Sequence, residues 1–192
     1  MTKILFSAAL AAAVLAPQAA SAQTIPAAIV AVVDAQRIYA ECNACRTAKT
    51  SLEAQVAAAR SLQTSLGTSL QTEQNSLQTA VEALKGKQPE AALAARIKSF
   101  QTRQQSAQQQ LGQRQESIQA SQQYVLQQIN AKLSPAIQQV MARRGANLVL
   151  DVNATVQAGP ALDITNDVLA AVNASLTSLS TTAPVAAPTQ SR

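Results

Sequence analysis

Histidine is absent from this 192-residue sequence, and aromatic side chains make up only 2% of it. Without histidine there is no Ser–His or Cys–His nucleophile pair, no imidazole general acid or base, and no ordinary His-containing zinc site. The scarcity of rings bears on the fold. Past residue 22 only Tyr39, Phe100 and Tyr124 remain, whereas a compact domain of this size would bury several such rings to offset the entropy of ordering its backbone. A large single core is therefore not expected. Long hydrophobic runs are missing too: beyond the amino-terminal segment, no stretch is apolar and long enough to span a bilayer.

That amino-terminal segment reads as an export signal. Met1-Thr2-Lys3 supplies a positive start, residues 4–16 form a short apolar run, and Ala20-Ser21-Ala22 has the small-x-small pattern of a signal-peptidase site. Cleavage is expected after Ala22, with no cysteine following to carry a lipid. The expectation is a soluble exported protein of the bacterial periplasm. Loss of Lys3 takes the formal charge from +5 to +4, enough to favour acidic partners at low salt but far from the Lys/Arg stripe of a nucleic-acid binder. No nucleic-acid partner is expected.

What the sequence does have is Ala, Gln, Leu and Ser, the composition of long helices with a thin apolar stripe. A seven-residue ruler finds the stripe. One row is Leu52, Ala59, Leu66, Glu73 and Ala80; its companion is Val56, Gln63, Leu70, Leu77 and Leu84. Gly86-Lys87-Gln88-Pro89 then supplies a helix stop and a helix start, so the chain is expected to turn at 86–89. On the return, Leu93, Phe100 and Ala107 form one row and Ile97, Leu111, Ile118 and Val125 the other, interrupted by Gln104, Arg114 and Ser121. The spacing predicts a helical hairpin over residues 35–145, each arm of about 40 residues rising ~60 Å. Polar seam residues (Gln63, Glu73, Gln104, Arg114) and the mid-arm Gly67 and Gly112 predict arms that bend, since each glycine costs ~1 kcal/mol relative to alanine.

Two β-branched runs flank the hairpin. Ile29, Val30, Val32 and Val33 form the first, and Leu148, Val149, Leu150 and Val152 the second; their near-continuous apolar character suggests strands buried on both faces. Two or three short strands cannot stand alone in water, and no other part of the chain is expected to cover them, so association of several copies through these strands is expected. Asp34 is placed to cap the helix beginning at Ala35, and Thr165 to cap a short helix after Gly159-Pro160. Residues 146–177 are thus a carboxy-terminal body segment. Residues 178–192, Ser, Thr, Ala and Pro without periodicity, read as a disordered tail.

The opening run Ile29-Val30-Ala31-Val32-Val33-Asp34-Ala35-Gln36-Arg37-Ile38-Tyr39, the closing run Asn147-Leu148-Val149-Leu150-Asp151-Val152-Asn153-Ala154, and Leu162-Asp163-Ile164-Thr165-Asn166-Asp167-Val168-Leu169 resemble the OmpH/Skp periplasmic chaperones. The resemblance extends over residues 29–173. It implies an α+β homotrimer in which the flanking strands of three chains form a small β-barrel body and three helical hairpins hang as tentacles around a cavity. It further implies an ATP-independent holdase for unfolded outer-membrane proteins, with no enzymatic activity and no cofactor or metal. An imperfect, glycine-containing seam suits such a role, because many weak contacts over several arms retain a client by avidity.

Client contacts are expected near the tip. Lys85, Lys87, Arg96, Lys98 and Arg103 outnumber Glu82 and Glu90 there by three charges, which would attract an acidic client or an anionic membrane surface, or else are simply solvated helix charges. Leu84, Leu93, Ile97 and Phe100 are the apolar candidates beside them. These arms are Gln-rich and thinly charged for the family. A further departure is Cys42-Asn43-Ala44-Cys45, near a helix start. It is open to three readings: a local structural disulfide, inert or intermolecularly paired thiols, or a redox-active pair with a dipole-lowered pKa. Beside the holdase stand two other classes of function: an envelope adaptor or structural coiled coil without a client cavity and, more distantly, a thiol-disulfide oxidoreductase using Cys42 and Cys45.

Overall fold

The structure is a computed structural model that describes residues 25–184; the expected signal segment lies outside them. It is mostly helical, with a two-stranded sheet at one end. Strand β1 (Val30–Val33) leads into helix α1 (Ala35–Glu41), then α2 (Asn43–Glu82), α3 (Ala91–Arg144), strand β2 (Leu148–Asp151) and helix α4 (Thr165–Ser175), with short 3-10 turns at Val152–Ala154 and Pro160–Leu162. The strands pair in parallel, Val30 with Leu148 through Val33 with Asp151. Parallel neighbours need a crossover connection, and here the whole hairpin is that crossover. Both strands are shorter than the apolar runs suggest: Ile29 lies before β1 and Val152 belongs to a 3-10 turn.

Asp34 starts the first arm as its residue type dictates, its Oδ1 accepting from the Arg37 amide at 2.8 Å. The arm is not one helix from there. Cys42 is extended, closing α1 and opening α2, and Asn43 at the new start donates its amide to Asn173 Oδ1 of α4 at 2.8 Å. At the far end, the turn of residues 83–90 takes Lys85 and Gly86 into the left-handed region, with φ of 49° and 84°. Glycine enters that region freely, whereas Lys85 does so at a cost of ~1 kcal/mol. The return helix α3 runs without interruption through Pro135, which removes one amide donor from its base, and stops at Gly145 (φ 69°), whose amide reaches Met141.

The expected heptad rows face each other. Nearly every seam position is buried or half-buried, from Leu52, Val56 and Ala59 out to Leu77 and Phe100; Gln63 and Arg114 are the exposed exceptions. The middle of both helices is therefore a real but thin seam.

At the base the expectation of a hairpin without its own core is corrected. Ile38, Val140, Val168 and Val172 are fully buried together with Ala31, Val33, Val125, Ile129, Leu133, Ala136, Ile164 and Leu176. The α3 stripe continues past Val125 through Ile129, Leu133, Ala136 and Val140, and α4 lays Val168, Val172 and Leu176 against it. Burying side chains of this size is worth ~1.5–3 kcal/mol each. One face of β1, carrying Ala31 and Val33, is covered by this cluster; Val32 on the other face is buried at the residue 152–163 loop.

Thr165 also differs from expectation. Its hydroxyl does not cap α4 but accepts from the Asp34 amide at 2.9 Å, tying the start of the first arm to α4, while Asp163 Oδ1 takes the Thr165 amide at 2.8 Å. Arg144 closes the same corner on Asp167 at 2.7 Å. The start of the segment expected as a disordered tail, residues 178–192, also makes contacts: Leu179 packs on the base cluster, and Ser180 and Thr181 hydrogen-bond to the arms.

Candidate functional site

The tip places its charges unequally. Glu73, a seam residue, receives Arg96 at 3.4 Å and Arg103 at 3.3 Å from the facing arm. With Glu73 counted, five bases face three acids and the local excess falls from three to two. Glu73 is thus a cross-arm tie rather than a flaw, and Arg96 and Arg103 are engaged within the hairpin. Lys85, Lys87 and Lys98 remain exposed and form no ion pair among the described residues. The apolar candidates sit in the seam: Phe100 is buried, and Leu84, Leu93 and Ile97 are half-buried. Only a shallow groove of about 260 Å³, lined by Leu84, Leu93, Ala80 and Ala92, opens between them.

Midway along the arms a larger groove of about 460 Å³ runs between Val56, Ala59, Arg60 and Gln63 on α2 and Leu111, Arg114 and Gln115 on α3. It lies where Gln63 and Arg114 interrupt the apolar rows, with Gly112 beside it and Gly67 one turn further out. A Cβ at either glycine would meet nothing within 4 Å.

The strand end carries most of the exposed apolar surface. Of eight large apolar residues exposed among those described, Ile25, Ile29, Leu148, Val152, Val156 and Leu162 are at this end, against Val81 and Leu126 on the arms. Val30, Val149 and Leu150 are half-buried, whereas Val32 and Val33 are enclosed by the chain itself, at 3% and 4% exposure, and are not offered to another copy. Val156 and Leu162 were not among the residues expected here; isolated apolar positions in a polar loop give no periodic signal. The second edge of β1 is partly taken by Asp163 and Ile164, which bridge Val32, while the outer edge of β2 has no strand partner among the described residues. Such an edge is a template for pairing with another chain.

Cys42 and Cys45 are bonded to each other. At 0% and 4% exposure they lie within the base cluster with Ile38 and Ala48. The crosslink spans the break between α1 and α2, and the Cys45 amide donates to Cys42 Sγ at 3.0 Å. No trio of cysteine or acidic residues able to hold a metal ion, and no helix long and apolar enough to cross a membrane, occurs among the described residues.

Two carboxylates in the strand-end loops sit below the usual carboxylate range. Hydrogen bonds from the Thr165 hydroxyl and amide, with the charge of Arg37 nearby, hold Asp163 down against a slight loss of hydration. Asp151 is lowered chiefly by the Asn153 amide, which it accepts at 2.8 Å in starting the 3-10 turn.

The sequence model of the family described as "Outer membrane protein (OmpH-like)" matches residues 29–172, the whole span from the first strand through most of α4. The chain belongs to the OmpH-like family. The fold agrees: the crystal structure of an OmpH-like outer-membrane chaperone candidate from Caulobacter crescentus CB15 superposes with a TM-score of 0.68 at 24% identity, over 82% of this chain and 90% of that one. No curated protein matches the sequence. Within this OmpH-like chain the family match ends at residue 172, so Asn173, which caps α2, and the segment that follows α4 lie beyond it.

Proposed function

We propose that this OmpH-like protein is an ATP-independent holdase of the periplasm, exported by a signal cleaved after Ala22. Three copies join through their strand ends into a small barrel body, and their hairpins enclose unfolded outer-membrane proteins until these are delivered. The observation that carries the reading is the division of the surface: exposed apolar residues and an open strand edge gather at one end, while the arms present polar, thin-seamed walls. Ile29, Leu148, Val152, Val156 and Leu162 lie at the same end as that open edge and would be covered by neighbouring copies, with Val30, Val149 and Leu150 completing the interface.

Client contact in this reading is weak and distributed. Lys85, Lys87 and Lys98 give the tip its free positive charge, and the mid-arm groove lets the walls yield to guests of different size. The protein needs no cofactor and catalyses no reaction in this role. Suppression of the aggregation of a denatured outer-membrane β-barrel protein, at stoichiometric ratios and without nucleotide, is the test. A stable trimer that leaves aggregation unchanged would instead support an envelope coiled-coil adaptor. Changing Lys85, Lys87 and Lys98 together to Gln should weaken client binding at low salt and leave it little altered at high salt; an unchanged salt dependence would remove the electrostatic contribution.

A further inference from the structure

Residues 176–184 carry no periodic pattern, yet they are held across both arms. Leu176 is buried and Leu179 packs on the base cluster. From α3, Gln128 clasps Ser180 from both sides: the Ser180 amide donates to Gln128 Oε1 at 3.1 Å, and Gln128 Nε2 donates to the Ser180 carbonyl at 2.9 Å. From α2, Gln55 Nε2 donates to the Thr181 carbonyl at 2.9 Å, and Ser51 Oγ shares a hydrogen bond with Thr181 Oγ1 at 2.8 Å. The segment then turns, its Ser180 hydroxyl donating to the Thr182 carbonyl at 3.0 Å.

What is recognised is chiefly main chain. Three of these four cross-arm bonds go to backbone amide or carbonyl groups, and one apolar side chain, Leu179, is taken by the cluster edge. The Gln128 clasp imitates the double bond that a residue in a neighbouring antiparallel strand would make. A site of this kind reads an extended conformation and is nearly indifferent to sequence, which is the logic of strand addition.

We infer that Gln128, Gln55, Ser51 and the cluster edge under Leu179 form a receptor for an extended, unfolded polypeptide segment, and that residues 178–182 are its resident occupant in cis. The inference rests on the holdase reading and adds a gate to it: a client entering between the arms displaces the chain's own segment. A short tether holds that occupant at an effective concentration of about millimolar. A single weak segment therefore does not displace it, whereas a long client already held by several arms does.

Ser180→Pro in the full chain removes the amide that Gln128 Oε1 accepts, freeing the receptor while leaving Leu176 in the core. The probe is an end-capped synthetic peptide of residues 178–184, followed through the side-chain amide NMR signals of Gln55 and Gln128. In the Ser180→Pro chain, millimolar peptide should carry both signals toward their positions in the unaltered chain. The unaltered chain should not respond, and adding Gln128→Leu should abolish the response at Gln55. An unresponsive Ser180→Pro chain, or an equal response without the substitution, overturns the receptor. With a denatured β-barrel client, Ser180→Pro should tighten retention by about tenfold, and Gln128→Leu should cancel the gain. Equal retention by all variants overturns the gate. If none retains client while the peptide response stands, the holdase reading fails and the receptor survives it.

Discussion

The base and the middle of the hairpin are built from the same two helices yet held together differently. At the base, α3 meets α1, α4 and the inner face of β1 around fully buried Ile38, Val140, Val168 and Val172, and three polar ties (Asp34–Thr165, Asn43–Asn173, Arg144–Asp167) close the corner. In the middle, α2 packs on α3 through half-buried Val56, Ala59 and Leu66, across a groove flanked by Gln63 and Arg114. Further out the seam tightens again, with Leu77, Phe100 and Ala107 buried and Glu73 bridging to two arginines. The arm is thus fixed at both ends and loose between them. The two mid-arm glycines, Gly67 and Gly112, lie in that thinner stretch, where an added Cβ would meet open space.

The largest expected effect tests that contrast directly. Ile38→Ala should cost ~2–5 kcal/mol of stability, because it leaves a cavity in a closed cluster. Leu66→Ala, at a half-exposed seam position with room to relax, should cost ~1 kcal/mol. Denaturant unfolding of both variants at one protein concentration checks the pair, and equal losses would break the distinction between base and mid-arm.

Next in size is the crosslink. Closing a loop this short removes denatured-state entropy worth about 2 kcal/mol in the chain-entropy account. The Cys42→Ser/Cys45→Ser variant should therefore unfold at lower denaturant. Slower-exchanging amides should become faster around residues 38–48 while those beyond Val56 keep their rates. Uniform acceleration along the arm would mean that the break between α1 and α2 is not a local device.

Gly67→Ala and Gly112→Ala act on the other side of the comparison. Each added methyl meets open space, so each substitution should stabilise its helix by ~1 kcal/mol. Amide exchange in the mid-arm should slow by about fivefold per substitution and remain unchanged at the base. If exchange does not slow, the looseness comes from the groove and its polar residues alone.

The arms were legible because a heptad pattern is local: both rows, the turn at Gly86 and the Asp34 cap can be read by counting along the chain. The base was not. Its stripe on α3 continues the same spacing through Ile129, Leu133, Ala136 and Val140, but that these residues meet α4 and β1 is a choice of tertiary partner that no periodicity records. Glu73 reads as an intrusion because its partners lie on the returning arm, 23 residues away for Arg96. Phe100 is hard to place for the same reason: by spacing alone it looks available to a client, whereas the facing helix buries it and leaves Ile97 half-buried. Residues 176–181 were opaque because a strap held largely through its backbone, with Leu176 and Leu179 as its apolar anchors, has no periodic pattern to read.

The smallest effect concerns the corner that joins the strands to the arms. Asp163 is held below the ordinary carboxylate value first by the Thr165 hydroxyl, then by the Thr165 amide, with Arg37 adding to both. An unfolded chain binds a proton at this carboxyl before the folded one does. The contribution of Asp163 to stability is therefore complete above the ordinary value near 4 and fades as pH falls through the lowered one. Thr165→Val should raise the Asp163 titration midpoint in carbonyl-carbon NMR and flatten the acid limb of the stability curve. It should also strand the Asp34 amide at the start of α1, so exchange at the base should quicken while the mid-arm stays as it was. A midpoint unmoved by the substitution would place the cause in the residue-165 amide and Arg37, and the buried hydroxyl would then serve only the Asp34 amide.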